Sequence, residues 1–182
     1  MSKIAFIISF IILTSATYSQ NTKKLQVGDA MPRFFLEDQN GNFFDSDDYK
    51  HKQALVIFFY PKAGAPVCTA QACSFRDNIS QFKELGAKIV GVSPDLTTEQ
   101  QVFIKENRLP YTVLSDKNNR IKKLFGVPSL FFSKRPKRYT FVVDKNGIIQ
   151  KIYYNKKDVD AHINQALSTL YKDKKEEFTV QK

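Results

Sequence analysis

The sequence predicts an α/β fold in which one mixed β-sheet is covered by helices on both faces. Three observations carry that reading. Apolar, strand-like runs alternate with helical segments through most of the chain, and near the end the pattern changes to a hairpin followed by a helix. The runs "QALVIFFY" (53–60) and "AKIVGVSP" (87–94) are apolar at consecutive positions, as in strands buried on both sides. Asn-Gly pairs at 40–41 and 146–147 each sit between strand-like stretches, a strong local signal for a hairpin turn.

Taken in order, "RFFLEDQNGNFFD" reads as an N-terminal hairpin and 53–60 as a buried strand ended by Pro61. The segment from Pro66 to about Gly86 reads as one helix, with proline in its first turn and glycine at its exit. A second buried strand follows, then a helix over "TTEQQVFIKENR" with Thr97 or Thr98 as N-cap and a glutamate close behind. "YTVLSD" is a short strand and "NNRIKKLFG" a short helix; "RYTFVVDKNGIIQKIYY" is the second hairpin. The last helix spans about Asp158 to Tyr171, with Val159, Ile163, Ala166 and Leu170 on one face. Residues 173–182 form a charged tail, expected to be frayed.

The chain has 182 residues, 42% of them hydrophobic and 25% charged, which suits one soluble domain with a real core. No internal repeat or low-complexity linker divides it. The first twenty residues, "MSKIAFIISFIILTSATYSQ", have an early lysine, an apolar run from Ile4 to Leu13, and then small and polar residues. That layout is a secretory signal peptide over residues 1–19, with the mature domain at 20–172. The run falls short of the ~20 residues of a membrane span, although an uncleaved anchor is the alternative. The expected location is therefore secreted or periplasmic, without stable membrane association once the leader is removed.

The net charge of +10 raises the question of nucleic acid, but 28 basic residues are scattered among 18 acidic ones. The densest cluster, "SKRPKR" at 133–138, reads as a solvated loop, and no nucleic-acid partner is expected.

The chain has two cysteines, Cys68 and Cys73, both within the segment beginning at Pro66. A thiol in the first turn of a helix faces unpaired backbone N–H groups that attract an anion, and a thiolate is one, so Cys68 reads as reactive. On a continuous helix, residues five apart have Cα atoms roughly 8–9 Å from each other, beyond the ~7 Å over which a disulfide closes. Bonding Cys68 to Cys73 would therefore require local unwinding. A loop this short contributes only ~2 kcal/mol as a staple, so a cycling site fits better than a static one. The plainer alternatives are a structural disulfide of an exported protein and a zinc site using His51 and His162, which are distant in sequence. His162, on the flank of the last helix, reads as a surface or rim residue.

These residues resemble the peroxiredoxins, in particular the bacterioferritin comigratory protein type. The match runs through Phe59, Tyr60, Pro61, Lys62, Pro66, Cys68, Thr69, Gln71, Ala72, Cys73 and "FRDN", then "GVSPD", Phe103, "LPYTVLSD", "LFGV" and "RYTFVVDKNG". The similarity covers about residues 25–172. It implies a thioredoxin-like fold and a thiol peroxidase acting on hydrogen peroxide or organic hydroperoxides. Cys68 would be the peroxidatic nucleophile and Cys73 the resolving thiol of an intramolecular disulfide, re-reduced by a thioredoxin-like donor. Arg138 would support the thiolate and the peroxide, and Pro61 would shield the sulfur. No metal, flavin or haem is implied, and this type is often monomeric.

Two departures flank the nucleophile: Ala65 stands where the family has a threonine that hydrogen-bonds the thiolate and peroxide, and Val67 where it has glycine. They leave open a slow peroxidase, or one turned to a bulkier hydroperoxide. A thiol–disulfide exchange protein on the same fold and a degenerate binding module are the competing readings.

Overall fold

The computed structural model describes residues 24–180, so the leader expected at 1–19 lies outside the described residues. The chain runs β1 (Phe35–Glu37), β2 (Phe43–Asp45), a 3-10 turn (Ser46–Tyr49), β3 (Ala54–Phe59), α1 (Pro66–Asp77), α2 (Ile79–Glu84) and β4 (Ala87–Ser93). It continues with α3 (Thr97–Asn107), β5 (Thr112–Ser115), α4 (Arg120–Leu124), β6 (Tyr139–Val143), β7 (Ile149–Tyr154) and α5 (Val159–Val180).

Five strands form a mixed sheet in the order β5-β4-β3-β6-β7, while β1 and β2 make a separate antiparallel hairpin. The strands β3, β4 and β5 are parallel, and β6 and β7 complete the sheet antiparallel. The continuous apolar pattern of β3 has the expected cause, because the strand is central and both of its faces are covered. Val56, Phe58 and Tyr60 pack on one side with Cys68 and the helix residues Phe75 and Ile163. Leu55, Ile57 and Phe59 pack on the other with Ile121, Phe125 and the hairpin residues Phe34 and Phe44.

One glycine sets the spacing of that first layer. A Cβ on Gly91 would stand 2.9 Å from the ring of Phe58, so glycine lets the ring approach β4 this closely. Phe58 then stacks on Phe75 of α1, with centroids 4.5 Å apart, and fixes the helix over the sheet.

Three boundaries differ from the sequence expectation. The helix from Pro66 breaks at Asn78, which leaves the helical range (φ −105°, ψ 12°) while its side-chain amide donates to Ser74 O at 2.9 Å. An asparagine offering its own hydrogen bonds to the backbone is the local cause. The third helix is capped by Leu96 and not by a threonine: Thr97 is already helical, and the Glu99 carboxylate accepts from Leu96 N at 2.8 Å. The last helix continues to Val180, because "KDKKEE" is rich in good helix formers and carries a Lys172–Glu176 pair at 3.7 Å. Among the described residues, no helix is long and apolar enough to cross a membrane.

Candidate active site

Helix α1 buries Cys68, Gln71, Ala72 and Phe75, the i, i+3, i+4, i+7 stripe of a helix lying on a sheet. The thiol is therefore both in the first turn and on the core face, and Cys68 is only 1% exposed. Cys73 falls off this stripe and is half-buried. Its Sγ lies 3.9 Å from Asn107 Oδ1 at the end of α3. Both cysteines are free thiols on one unbroken helix. Their spacing along it is the one that a disulfide cannot bridge without unwinding.

The register between β3 and β6 delivers the cation. Phe59 pairs with Tyr139 and Phe58 with Thr140, so Arg138 comes level with Tyr60, where the chain leaves the sheet toward Cys68. Strand alternation puts Arg138 and Thr140 on the face covered by α1 and α5. Arg138 is buried, its Nη2 lies 3.5 Å from Cys68 Sγ, and its Nη1 donates to Gln71 Oε1. A sulfur anion at Cys68 would thus face a guanidinium as well as the helix start.

The loop from Pro61 to Ala65 is held by Arg135, whose basic run reads in sequence as a solvated loop, and by Asp95. Arg135 Nη1 donates to Pro61 O at 2.6 Å and to Asp95 Oδ1 at 2.9 Å. Asp95 Oδ2 accepts from Ala63 N at 2.6 Å and from Ser93 Oγ at 2.9 Å. The network continues inward: Gln100 Nε2 donates to Ser93 Oγ and Leu114 O, while Tyr60 Oη donates to Gln100 Oε1. Burial pushes the Tyr60 phenol far up, so it stays a neutral donor. Arg135 is therefore part of a buried network, a correction to its reading as a loop cation. Its neighbours Phe131 and Phe132 are the most exposed aromatics described, at 91% and 94%.

His162 also departs from expectation. It is fully buried in α5, with Nδ1 2.8 Å from Thr140 Oγ1 and Nε2 3.1 Å from Asn155 O. A carbonyl only accepts, so Nε2 carries the proton and Nδ1 accepts from threonine. Burial lowers its pKa to about 4, with the Asn155 carbonyl opposing and the Arg138 charge adding to the shift. Among the described residues, no group of three His, Cys, Asp or Glu side chains is placed to hold a metal ion.

Ala65 is the N-cap of α1 and, having no side-chain acceptor, leaves the first-turn N–H groups without a cap from its side chain. Val67 is 43% exposed, so much of its added bulk faces solvent.

Comparison with known proteins agrees with what this arrangement can do. The fold and the thiol–guanidinium pair mark a thiol peroxidase on a thioredoxin-like scaffold. The chain belongs to the AhpC/TSA family, whose pattern matches residues 27–152. It is similar to chloroplastic peroxiredoxin Q of Populus jackii, 41% identical over 160 residues, covering 87% of this chain and 75% of that one. Chloroplastic peroxiredoxin Q of Arabidopsis thaliana is 43% identical over 147 residues, covering 81% of this chain and 68% of that one. Among solved structures, peroxidoxin BcpB of Mycobacterium tuberculosis superposes with a TM-score of 0.76 at 35% identity, covering 81% of this chain and 97% of that one. Peroxiredoxin Q of Xanthomonas campestris gives a TM-score of 0.69 at 25% identity over 76% of this chain and 89% of that one.

Proposed function

We propose that Cys68 is the peroxidatic nucleophile and Cys73 the resolving thiol. The observation that carries this reading is the buried Cys68 Sγ, in the first turn of α1, 3.5 Å from Arg138 Nη2. Cys68 sulfur attacks one peroxide oxygen and forms an S–O bond. The O–O pair leaves with the other oxygen, which takes up the proton given by the thiol and departs as water or an alcohol. Arg138 holds the sulfur and the peroxide together, and its charge offsets the negative charge that grows on oxygen. Pro61, whose carbonyl is held by Arg135, covers the sulfur from solvent.

Cys73 sulfur then attacks the sulfenic sulfur of Cys68; the S–S bond forms as the S–O bond breaks, and the hydroxyl leaves as water with the proton of the Cys73 thiol. That step needs α1 to unwind between residues 68 and 73 and Cys73 to leave Asn107. A dithiol donor of the thioredoxin type then restores both thiols. The catalytic unit spans residues 20–172 and works as a monomer, with residues 1–19 as an export leader.

The test mixes reduced protein with one equivalent of hydrogen peroxide in stopped flow, followed by intact mass. Rapid loss of two hydrogens is expected, absent in Cys68→Ser and replaced by a sulfenic acid in Cys73→Ser. Reaction at the rate of a free thiol would remove the peroxidase assignment. For the leader, a mature N-terminus near Gln20 in the exported fraction is expected, and full-length protein retained in the cytoplasm would exclude it.

A further inference from the structure

Gln71 enters the sequence reading only as a motif position, yet its environment in the structure is not that of a core amide. Its side chain is fully buried, and Oε1 is committed to Arg138 Nη1, while Nε2 has no hydrogen-bond partner. Arg138 Nε, in the same guanidinium, is likewise buried without a partner. A buried amide nitrogen without a protein acceptor is costly unless something pairs with it, and an acceptor that arrives with the substrate would do so.

Where that acceptor sits follows from the geometry. Gln71 is one helical turn beyond Cys68 on the same face of α1. The two terminal nitrogens of one guanidinium contact Gln71 Oε1 and Cys68 Sγ, so the amide lies beside the sulfur. Because the arginine holds Oε1, the amide cannot rotate to hide Nε2. The unpartnered N–H groups therefore stand next to the place where a peroxide must lie, in a chain whose Ala65 supplies no hydroxyl there.

We infer that Gln71 is a catalytic donor: its Nε2 hydrogen-bonds a peroxide oxygen and holds it as charge develops, supplying the donor that Ala65 cannot. The inference rests on the peroxidase reading of Cys68. As the S–O bond forms, the oxygen leaving with the O–O electron pair gains charge, so a fixed donor is worth more there than in the resting complex.

The test compares wild type, Gln71→Glu and Gln71→Met, each with and without Ala65→Thr. Two rate constants are measured for Cys68, oxidation by hydrogen peroxide and alkylation by iodoacetamide, which needs the thiolate but no donor to oxygen. Glutamate keeps an acceptor for Arg138 and drops the Nε2 donor, while methionine drops both without adding charge. Both variants should lose about 10²-fold in the ratio of peroxide to alkylation rate. The loss should shrink to about tenfold or less in the Ala65→Thr background, where the added hydroxyl reaches the same oxygen, since two donors to one oxygen are not additive. An unchanged ratio, or equal losses in both reactions, would overturn the donor role with the peroxidase reading intact. Wild type no faster than a free thiol would overturn both.

Discussion

Arg135 Nη1 lies 2.9 Å from Asp95 Oδ1, joining the loop before β6 to the loop between β4 and α3. The carboxylate is buried, at 1% exposure, while the arginine reaches it from a 39% exposed position. The same guanidinium bonds Pro61 O, so one side chain ties the β4–α3 loop to the loop that leads into Cys68.

Removing that brace should be felt in stability and in rate. Arg135→Leu leaves Asp95 buried with only Ser93 Oγ and Ala63 N as the donors near it. The expected loss is about 2 kcal/mol of unfolding free energy in urea, partly recovered by adding Asp95→Asn. Peroxide oxidation of Cys68 should slow several-fold. If Arg135→Leu unfolds like wild type, Arg135 behaves as the solvated loop cation that its sequence context suggests.

Ala65→Thr acts at the other end of the loop. The φ and ψ of Ala65, −70° and 137°, are those of an N-cap, and threonine fits them without strain. The added hydroxyl should stabilise the protein by about 1 kcal/mol through capping. It should also raise the peroxide rate constant by tenfold or more through its bond to the oxidant. A gain in stability with an unchanged rate would separate the two effects and remove Ala65 as a limit on turnover.

Unwinding of α1 should be limited by what holds its middle. Tyr111 Oη donates to Ala72 O at 2.7 Å, and Arg76 Nη1 donates to Asn107 O at 2.8 Å, both flanking Cys73. Tyr111→Phe removes the bond nearest the thiol at a cost of about 1 kcal/mol in stability. Disulfide formation after sulfenic acid formation should then quicken several-fold in quenched-flow mass measurements, with the first step unchanged. Slower closure would mean that Tyr111 guides the unwound state and does not restrain it.

Much of this is legible in the sequence alone. The apolar runs of β3 and β4 named the sheet, the Asn-Gly pairs its hairpins, and Pro66 the helix start that places Cys68. What the sequence does not show depends on contacts between distant segments. Arg135 looks like any cation in a basic loop until Asp95, 40 residues earlier, is folded against it. A lone histidine on a helix flank carries no local sign of burial, and His162 is settled only by Thr140 and Asn155. Asn78 and the extension of α5 are local effects, and side-chain competition and charge pairing would have flagged them. Gln71 was detectable in principle, being one turn from Cys68 on the same face, but nothing in sequence shows that its amide nitrogen lacks a partner.

His162 gives the protein a pH response whose sign follows from its neighbours. Burial among Thr140, Tyr153 and Asn155 holds its pKa at about 4, against an ordinary 6.5, with Arg138 adding to the shift and Asp158 opposing it. Between those values the unfolded chain binds a proton that the folded one refuses, so stability rises with pH. The contribution is complete above about pH 6.5 and is lost as pH falls toward 4, by up to about 3 kcal/mol. His162→Gln keeps a donor for Asn155 O but does not titrate. Urea unfolding at pH 7.5 and pH 5 should show wild type losing about 2 kcal/mol more than the variant over that interval. Parallel losses in the two proteins would show that the imidazole is protonated without cost, and that the polar pocket between α5 and β6 opens to water before the rest of the fold.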